Sequence, residues 1–252
     1  MSIHVHRAGL NKTLGHQSDA VVTDNLIGHW QPDQNWRLSP NIVWGNKVAG
    51  ENDLRRFNSI TRGGSGTGTY VAFDGTDDYV GPASIGYGGD PFQIDRNLAW
   101  TVNLWYRYGS TSQYWGNAVW GLGNYFYSKV LKDSENRKVR FHYGNTTYVE
   151  SISSLTADTW YYLTVTHDGS DNYQLFINGK FEGSDSLGGI TGTDNQSLAL
   201  GRIHDGAYKY AISSTRIGRV HVYDKKLNAS GIRQNFYASH DMHDTRIYGA
   251  LG

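Results

Sequence analysis

Short runs of alternating apolar and polar residues, bounded by glycine, aspartate or asparagine, constrain the fold of this chain more than any other feature. In residues 100–106 the even-numbered positions are apolar, and Thr101 and Asn103 between them are polar. The same period of two recurs in residues 160–167 and 173–177. Because successive side chains of a strand point to opposite faces of the sheet, this pattern predicts half-buried β-strands.

Turn residues between these runs predict antiparallel hairpins. Residues 168–172 separate two of the predicted strands, and Asn178-Gly179 follows the second strand. Asn-Gly favours the tight two-residue turn of a β-hairpin, so we expect two hairpins in succession. Further along the chain, Gly218 stands between two apolar residues, Ile217 and Val220, and predicts a β-bulge.

One helix is expected near the C-terminus. Asn228 has a side chain suited to a helix N-cap, and Ile232, Phe236 and Tyr237 fall on one face of a helix that begins after it. Elsewhere the composition favours β structure, since the chain has 31 glycines, 13% aromatic residues and only four glutamates. We therefore predict an all-β protein, a two-sheet antiparallel jelly-roll sandwich with one short C-terminal helix. Its predicted core consists of alternating apolar residues: Val71, Phe73, Val102, Leu104, Leu163, Val165, Leu175, Ile177, Val220 and Val222.

Charge and cysteine content exclude several classes of protein. The chain has 23 Lys and Arg against 23 Asp and Glu, so it lacks the basic excess typical of nucleic-acid-binding proteins. The absence of cysteine excludes thiol catalysis, disulfide bonds and cysteine-ligated zinc. No apolar stretch approaches the ~18 residues of a membrane span. Residues 1–7 lack the pattern of a secretory signal, so we expect synthesis in a cytoplasm, with no nucleic-acid partner.

Five segments in the correct order resemble one family. Residues 72–80 resemble the Phe-Asp-Gly strand of laminin-G-like, concanavalin A-like jelly rolls, and residues 100–106 resemble the long strand that follows it. Residues 160–180 are similar to the central hairpin of that family. Residues 198–202 and 217–227 are similar to its last two strands. The resemblance implies the jelly-roll fold over almost the whole chain except its N-terminal arm.

The two ends of the chain narrow the resemblance. Residues 26–50 and 227–236 are similar to the lead-in and the closing run of a subgroup found in tailed-phage virion proteins. This implies a non-enzymatic virion structural protein, such as a capsid decoration or a fibre- or tail-associated subunit. It also implies capsid or tail subunits as partners, an oligomeric state on the particle, and a location in the virion after synthesis in the host cytoplasm.

Two other functions remain open. The first is a carbohydrate-binding lectin outside a virion, which would attach to cell-surface glycan. The second is a glycan-active hydrolase with an unfamiliar carboxylate pair. Glycosidases of this superfamily carry Glu, Asp and Glu at alternating strand positions, because two carboxylates must stand ~5–9.5 Å apart. The complete alternation does not occur in this chain, so we predict no catalytic residue and no enzyme.

Aromatic residues in segments rich in glycine, serine and asparagine are the main candidates for a binding site. Such rings can stack on sugars or anchor a protein interface, and the alternative is that they pack against their own loops. The candidates are Tyr87, Tyr114, Trp115, Tyr208 and Tyr210.

Calcium is the one cofactor to be considered. Some laminin-G-like relatives carry calcium, and Asp74, Asp77 and Asp78 offer the oxygen ligands that this ion prefers. The alternative is that these aspartates form a turn around Gly75. No other cofactor is expected.

The first residues of the chain differ from the rest. We predict an N-terminal arm over residues 1–24 and a laminin-G-like domain over residues 25–252. The arm contains apolar residues that a solvated tail does not need, including Ile3, Val5, Leu10 and Leu14. They would either anchor the arm on a partner protein or pack along the outer sheet of the domain itself.

Overall fold

The computed structural model describes residues 20–32, 43–48, 54–65, 68–81, 92–109, 116–123, 126–143, 147–186, 195–204 and 207–240. Its strands pair antiparallel in two large sheets and one two-stranded ribbon. One helix, α1 (Ala229–Ser239), and one 3-10 turn (Asp133–Glu135) accompany them. No helix in these ranges is long and apolar enough to cross a membrane.

The first sheet has eight strands and contains the long alternating segments identified in the sequence. Its strands lie in the spatial order β15 (Lys180–Ser186), β14 (Asn172–Ile177), β13 (Trp160–Asp168), β8 (Ala99–Arg107), β19 (Arg216–Tyr223), β5 (Tyr70–Ala72) and β4 (Thr61–Gly63), with β1 (Leu26–Trp30) also paired to β19.

The second sheet has nine strands and faces the first. Its strands lie in the spatial order β12 (Thr147–Ser154), β11 (Lys138–Tyr143), β10 (Phe126–Val130), β9 (Asn117–Leu122), β16 (Asn195–Leu200), β6 (Tyr79–Gly81), β3 (Leu54–Phe57) and β2 (Val43–Trp44), with β7 (Gln93–Asp95) also paired to β16. The ribbon consists of β17 (Arg202–His204) and β18 (Tyr208–Tyr210). These two sheets confirm the predicted all-β jelly-roll sandwich.

The predicted local signals are found where the sequence places them. Asn178 and Gly179 both have positive φ, at 51° and 74°, as the tight turn between β14 and β15 requires. The register of β19 shifts between Ile217 and Val220, which confirms the predicted bulge. The Asn228 side chain accepts a 2.9 Å hydrogen bond from the backbone N–H of Gly231, as expected of a helix N-cap.

The core lies between the inner faces of the two sheets. All ten predicted core residues are buried, and none is more than 5% exposed. Aromatic residues join the layers: the Trp100 ring of the first sheet meets the Trp120 ring of the second edge-on, with centroids 6.0 Å apart. Burial of each such side chain contributes roughly 1.5–3 kcal/mol, so this layer is the main source of stability.

The prediction that β8 is only half-buried is wrong. Thr101 and Asn103, expected to face solvent, are fully buried because other elements cover the outer face of the first sheet. The Thr101 hydroxyl donates to the carbonyl of Lys225 at 2.8 Å and accepts from the N–H of Leu227 at 2.9 Å. Asn103 Oδ1 accepts from the Thr164 hydroxyl at 2.8 Å. These hydrogen bonds replace the water that the polar side chains would otherwise contact.

Helix α1 covers much of this outer face. Phe236 packs against Trp105 and Tyr162 in an apolar cluster that also contains Trp160, and the Trp105 indole N–H donates to the Ser239 hydroxyl at 2.8 Å. The last part of the predicted arm, residues 20–24, lies beside the helix as well. The four apolar arm residues proposed as anchors, Ile3, Val5, Leu10 and Leu14, fall outside the described residues, so the arm boundary and its anchoring stay predictions.

Candidate functional site

The Arg202 guanidinium lies among tyrosine rings at the start of the β17–β18 ribbon. Its Cζ atom is 3.4 Å from the ring centroid of Tyr79 and 5.0 Å from that of Tyr208. Phe57 stacks on Tyr79 with centroids 4.3 Å apart, and Tyr210 lies 6.3 Å from Tyr79. We call these five residues the Arg202 surface. They come from β3, β6 and the ribbon, on the outer side of the second sheet.

The members of the Arg202 surface differ in their exposure. Arg202 and Tyr79 are 3% and 6% exposed, whereas Tyr208 is 44% exposed. His204 meets the Tyr208 ring edge-on, with centroids 5.0 Å apart and an interplanar angle of 80°. Tyr208 is therefore an aromatic ring open to solvent and supported from the protein side by a cation and an imidazole.

Two glycines allow the ribbon to lie on the second sheet. Gly201 has a φ of 72°, and a Cβ atom at that position would lie 2.3 Å from the Phe73 ring. A Cβ atom on Gly121 of β9 would lie 3.1 Å from the carbonyl oxygen of Arg202. Side chains at these positions would push the ribbon away from the sheet, and with it Arg202 and Tyr208.

Within the Arg202 surface, burial and neighbouring charges shift the pKa values of Arg202 and Tyr79 in opposite directions. Burial lowers the pKa of the Arg202 guanidinium, and the surrounding tyrosines counteract that shift. Burial raises the pKa of the Tyr79 phenol, which the Arg202 charge counteracts in turn. At neutral pH the pair is a cation stacked on a neutral phenol, an arrangement worth up to about 2 kcal/mol when shielded from water.

An acidic turn adjoins this surface. The carboxylate oxygens of Asp74, Asp77 and Asp78 approach within 4.8 Å of one another, just before Tyr79 in β6. Asp78 is buried, and its two oxygens accept the backbone N–H groups of Ser59 at 2.7 Å and Asp74 at 2.9 Å. Burial raises the pKa of Asp78, while those two hydrogen bonds act against the rise. Asp74 and Asp77 are exposed.

These contacts fit the turn interpretation of the three aspartates more fully than a calcium site. Calcium takes ~6–8 oxygen ligands, and both oxygens of Asp78 already hold backbone N–H groups. One oxygen of Asp74 also accepts the N–H of Thr76 at 2.8 Å. The carboxylates of Asp74 and Asp77 retain the capacity to accept further hydrogen bonds or bind a cation. Calcium binding therefore stays a prediction.

Carboxylate pairs two residues apart occur twice in the sequence, at Glu51 and Asp53 and at Asp133 and Glu135. The first pair lies outside the described residues. The second lies in a 3-10 turn and not on a strand, and each member has its own partner. Asp133 accepts a hydrogen bond from the Tyr108 hydroxyl, and Glu135 forms an ion pair with Lys132 at 3.3 Å. The second pair thus lacks the shared strand face of the familiar glycosidase arrangement.

The structure brings together two of the five predicted aromatic candidates. Tyr208 and Tyr210 lie together on the Arg202 surface, and Tyr87, Tyr114 and Trp115 fall outside the described residues. Sequence reasoning missed the other three members, Phe57, Tyr79 and Arg202. These residues come together because strands far apart in sequence pair in the sheet. No local sequence pattern predicts that pairing.

Comparison with known proteins identifies the family. A family model described as the concanavalin A-like lectin/glucanases superfamily matches residues 65–233, which is more than half of the chain. The match includes Tyr79, Arg202, Tyr208 and Tyr210 but not Phe57. A sequence search of curated proteins found no match.

Solved structures support the same fold at low sequence identity. A sialidase of Trypanosoma rangeli, in complex with the inhibitor DANA, superposes with a TM-score of 0.66 and 18% identity, covering 89% of this chain and 34% of that one. The binding domain of Paraclostridial Mosquitocidal Protein 1 superposes with a TM-score of 0.61 and 14% identity, covering 84% of this chain and 52% of that one. The chain thus spans about a third of the sialidase and half of the binding domain.

These findings correct the functional expectation drawn from the two ends of the chain. The expectation of a phage virion structural protein is wrong, because the matching family is one of lectins and glucanases and the similar structures include sialidases and the binding domain of Paraclostridial Mosquitocidal Protein 1. The jelly-roll assignment itself is confirmed by the family match. The chain belongs to the concanavalin A-like lectin/glucanases superfamily.

Proposed function

We propose that this protein is a glycan-binding domain and that the Arg202 surface contacts the sugar. The observation that carries the proposal is the exposed Tyr208 ring, fixed over a buried guanidinium on a lectin-type sandwich. The sugar would stack its C–H face on this ring. A ring already held by Arg202 and His204 loses little conformational freedom on binding, which favours affinity.

The acidic turn supplies the polar half of such a site. Asp74 and Asp77 are exposed, and the main chain of Asp77 is fixed by a 2.7 Å hydrogen bond from the Asn58 side chain to its carbonyl oxygen. Carboxylates accept hydrogen bonds from sugar hydroxyl groups, and charge-assisted hydrogen bonds are the stronger kind. An apolar ring beside a few fixed polar groups is the usual composition of a small-ligand site.

The similar proteins support a glycan-related role by analogy. The Trypanosoma rangeli protein is a sialidase that has been solved with sialic acid, at 16% identity to this chain. The Paraclostridial match is named a binding domain. Both likenesses concern the fold alone, so the glycan-binding proposal rests on the Arg202 surface and on the family.

A glycan array probed with the wild-type protein and with Tyr208→Ala tests the proposal. We expect the wild type to bind a defined set of glycans, and Tyr208→Ala to lose roughly tenfold or more in affinity for them, since an anchor ring in a binding site contributes about 2 kcal/mol. Because Tyr208 is exposed, the variant should keep the melting temperature of the wild type within a few degrees.

Phe181→Ala is the matched control. Phe181 is 52% exposed on β15 of the first sheet, so its loss removes a comparable ring far from the Arg202 surface. Glycan binding should be unchanged in this variant. Equal loss in both variants, or unchanged binding by Tyr208→Ala, would contradict the assignment of the site, and an array without any bound glycan would contradict the function.

A further inference from the structure

A row of three aromatic side chains crosses the outer face of the second sheet at its β10–β12 end. Tyr127 lies opposite His142, and His142 lies opposite Tyr148, so the three share one face. The imidazole stacks on Tyr127 with centroids 4.7 Å apart and an angle of 16°, and lies 5.3 Å from the ring of Tyr148. The Tyr148 ring, at the edge of the sheet, is 37% exposed.

Arg140 is held rigidly beside this row. Its Cζ atom lies 4.1 Å from the centroid of the Tyr148 ring, and its Nε–H donates to a Glu150 oxygen at 2.6 Å. The side chain is 25% exposed. A guanidinium has five N–H donors, and within the described part of the chain only the Nε donor of Arg140 forms a hydrogen bond. The two terminal nitrogens therefore present a fixed pair of donors.

Basic side chains outnumber acidic ones on the outer face of strands β10, β11 and β12. The side chains on the outer face of β10, β11 and β12 include three bases, Lys129, Lys138 and Arg140, and one acid, Glu150. Glu150 is shared, since Lys138 also approaches it at 3.2 Å. Partial burial alone would raise the pKa of Glu150, but the hydrogen bonds from Arg140 and Lys138 outweigh it and the pKa lies below its ordinary value. Glu150 is thus ionised at neutral pH and anchors both bases.

His142 adds a neutral polar group to the row. It is 4% exposed, and neither ring nitrogen has a hydrogen-bond partner. Burial, followed by the charges of Lys129 and Arg140, lowers its pKa to about 3. The imidazole is therefore uncharged at neutral pH and fills the space between the rings of Tyr127 and Tyr148.

We propose that Arg140, Lys138 and Tyr148 form a subsite for the acidic group of a saccharide, a carboxylate or a sulfate, an inference that rests on the proposed glycan-binding function. The paired terminal N–H groups of an arginine match the two oxygens of such a group. The Tyr148 ring lies beside them and would stack on the sugar that carries the acid. Lys138 adds a second positive charge, and Glu150 holds both bases in place.

The subsite and the Arg202 surface lie on the same face of the same sheet. Tyr127 packs against Ile203 of the ribbon, so the aromatic row ends where the ribbon begins. Five strand spacings separate β12 from β6, which places Tyr148 about 24 Å from Tyr79 at ~4.8 Å per strand. A saccharide that reaches both surfaces must therefore contain several sugar units, with its acidic group at one end or along its length.

The test uses the full chain and an array in which each neutral oligosaccharide is printed beside its sialylated and its sulfated derivative. We expect wild-type protein to bind at least one acidic derivative about tenfold more tightly than its neutral parent, because hydrogen bonds to charged groups are stronger than those between neutral groups. This preference should weaken at high salt. Comparison of the sialylated with the sulfated derivatives distinguishes a carboxylate from a sulfate ligand.

Substitutions of Arg140 distinguish the effect of its positive charge from the effect of its paired N–H donors. Arg140→Gln should bind acidic and neutral derivatives equally, and Arg140→Lys should keep only part of the preference because lysine lacks the paired donors. Arg107→Gln is the control, since Arg107 forms a similar surface ion pair with Asp158, at 2.9 Å, on the first sheet. That variant should keep the full preference. Melting temperatures confirm that the variants are folded.

The outcomes separate this inference from the proposed function. An acidic preference that Arg140→Gln abolishes and Arg107→Gln retains supports the subsite. Binding that depends on Tyr208 but is equal for acidic and neutral glycans, or an acidic preference that survives Arg140→Gln, overturns the subsite and leaves the proposed function standing. Absence of binding to any glycan overturns both.

Discussion

Two arginines of this protein make the same kind of contact with a tyrosine ring but differ in how far they are exposed. Arg202 and Arg140 both stack on tyrosine, but Arg202 is almost fully buried while Arg140 keeps a quarter of its surface exposed. The first therefore supports an aromatic ring from below, and the second presents its own donors to solvent. The same cation–ring contact thus lies inside the protein in one place and at its surface in the other.

Buried histidines are a second residue-scale feature. Burial lowers the pKa of His142, His167 and His221 below the ordinary value. In the unfolded chain these histidines have an ordinary pKa of about 6.5. Below that pH the unfolded chain therefore binds more protons than the folded protein. Folding stability should therefore fall as the pH drops below about 6.5.

His142→Phe isolates one of these histidines. Its nitrogens have no hydrogen-bond partner, so phenylalanine loses no hydrogen bond and keeps the stacking on Tyr127. Between about pH 6.5 and a native pKa of about 3, each pH unit costs the wild type up to about 1.4 kcal/mol at this site. Urea unfolding at pH 7 and pH 5 should therefore show about 2 kcal/mol less acid destabilisation in the variant. Identical pH dependence in both proteins would contradict the account of His142.

The residues of the site differ in how far the sequence predicts them. Tyr208 and Tyr210 stand out because they interrupt a segment rich in small and polar residues. Arg202 and Tyr79 lie within recognisable strand motifs, but their contact joins β17 to β6 across the sheet and no local spacing encodes it. Arg140 and Tyr148 are also on different strands, and an alternating pattern shows only that each faces outward.

At the scale of elements, hydrogen bonds join residues 20–24 to α1 and to β19. The Val22 N–H donates to Asn235 Oδ1 at 2.7 Å, and the Val22 carbonyl accepts from the Tyr223 hydroxyl at 2.9 Å. Asn235 Nδ2 donates in turn to that hydroxyl at 2.9 Å. The three residues close a ring of hydrogen bonds between the arm, β19 and the helix, and the Val22 side chain packs on the apolar cluster below.

Two truncations test the contribution of this ring. A chain that starts at Asn25 loses Val22, so Asn235 Oδ1 loses its donor and the Tyr223 hydroxyl loses its acceptor, each at a cost of about 1–3 kcal/mol. A chain that starts at Ala20 keeps every one of these contacts. Urea unfolding should show the Asn25 truncation less stable than the Ala20 truncation by about 2–4 kcal/mol. Equal stability of the two chains would contradict the structural role of Val22.

Individual elements were predictable where their signal is local. The β13–β14–β15 hairpins follow from period-two alternation and the Asn178-Gly179 turn, and α1 follows from its cap and apolar face. The outer face of β8 was not predictable, because Thr101 is buried by residues more than a hundred positions away. Polar residues that face a covering element look the same in sequence as polar residues that face water.

At the scale of the whole molecule, the two outer faces of the sandwich differ. The first sheet carries α1 and residues 20–24 on its outer face, and their packing buries Trp105, Tyr162 and Phe176. The second sheet carries the ribbon, the Arg202 surface and the side chains proposed to bind an acidic group, with Tyr148 and Tyr208 open to solvent. This asymmetry places the candidate binding groups on one side of the protein.

The central claim is that the outer face of the second sheet binds glycan, and an amide chemical-shift map tests it most directly. The protein, labelled with nitrogen-15, is titrated with the oligosaccharide that gives the strongest array signal. We predict that the largest shifts fall on residues 74–79 and on the ribbon, and that an acidic oligosaccharide also shifts residues 138–150. Shifts that centre on α1 or on β13–β15, with none at the ribbon, would contradict the claim.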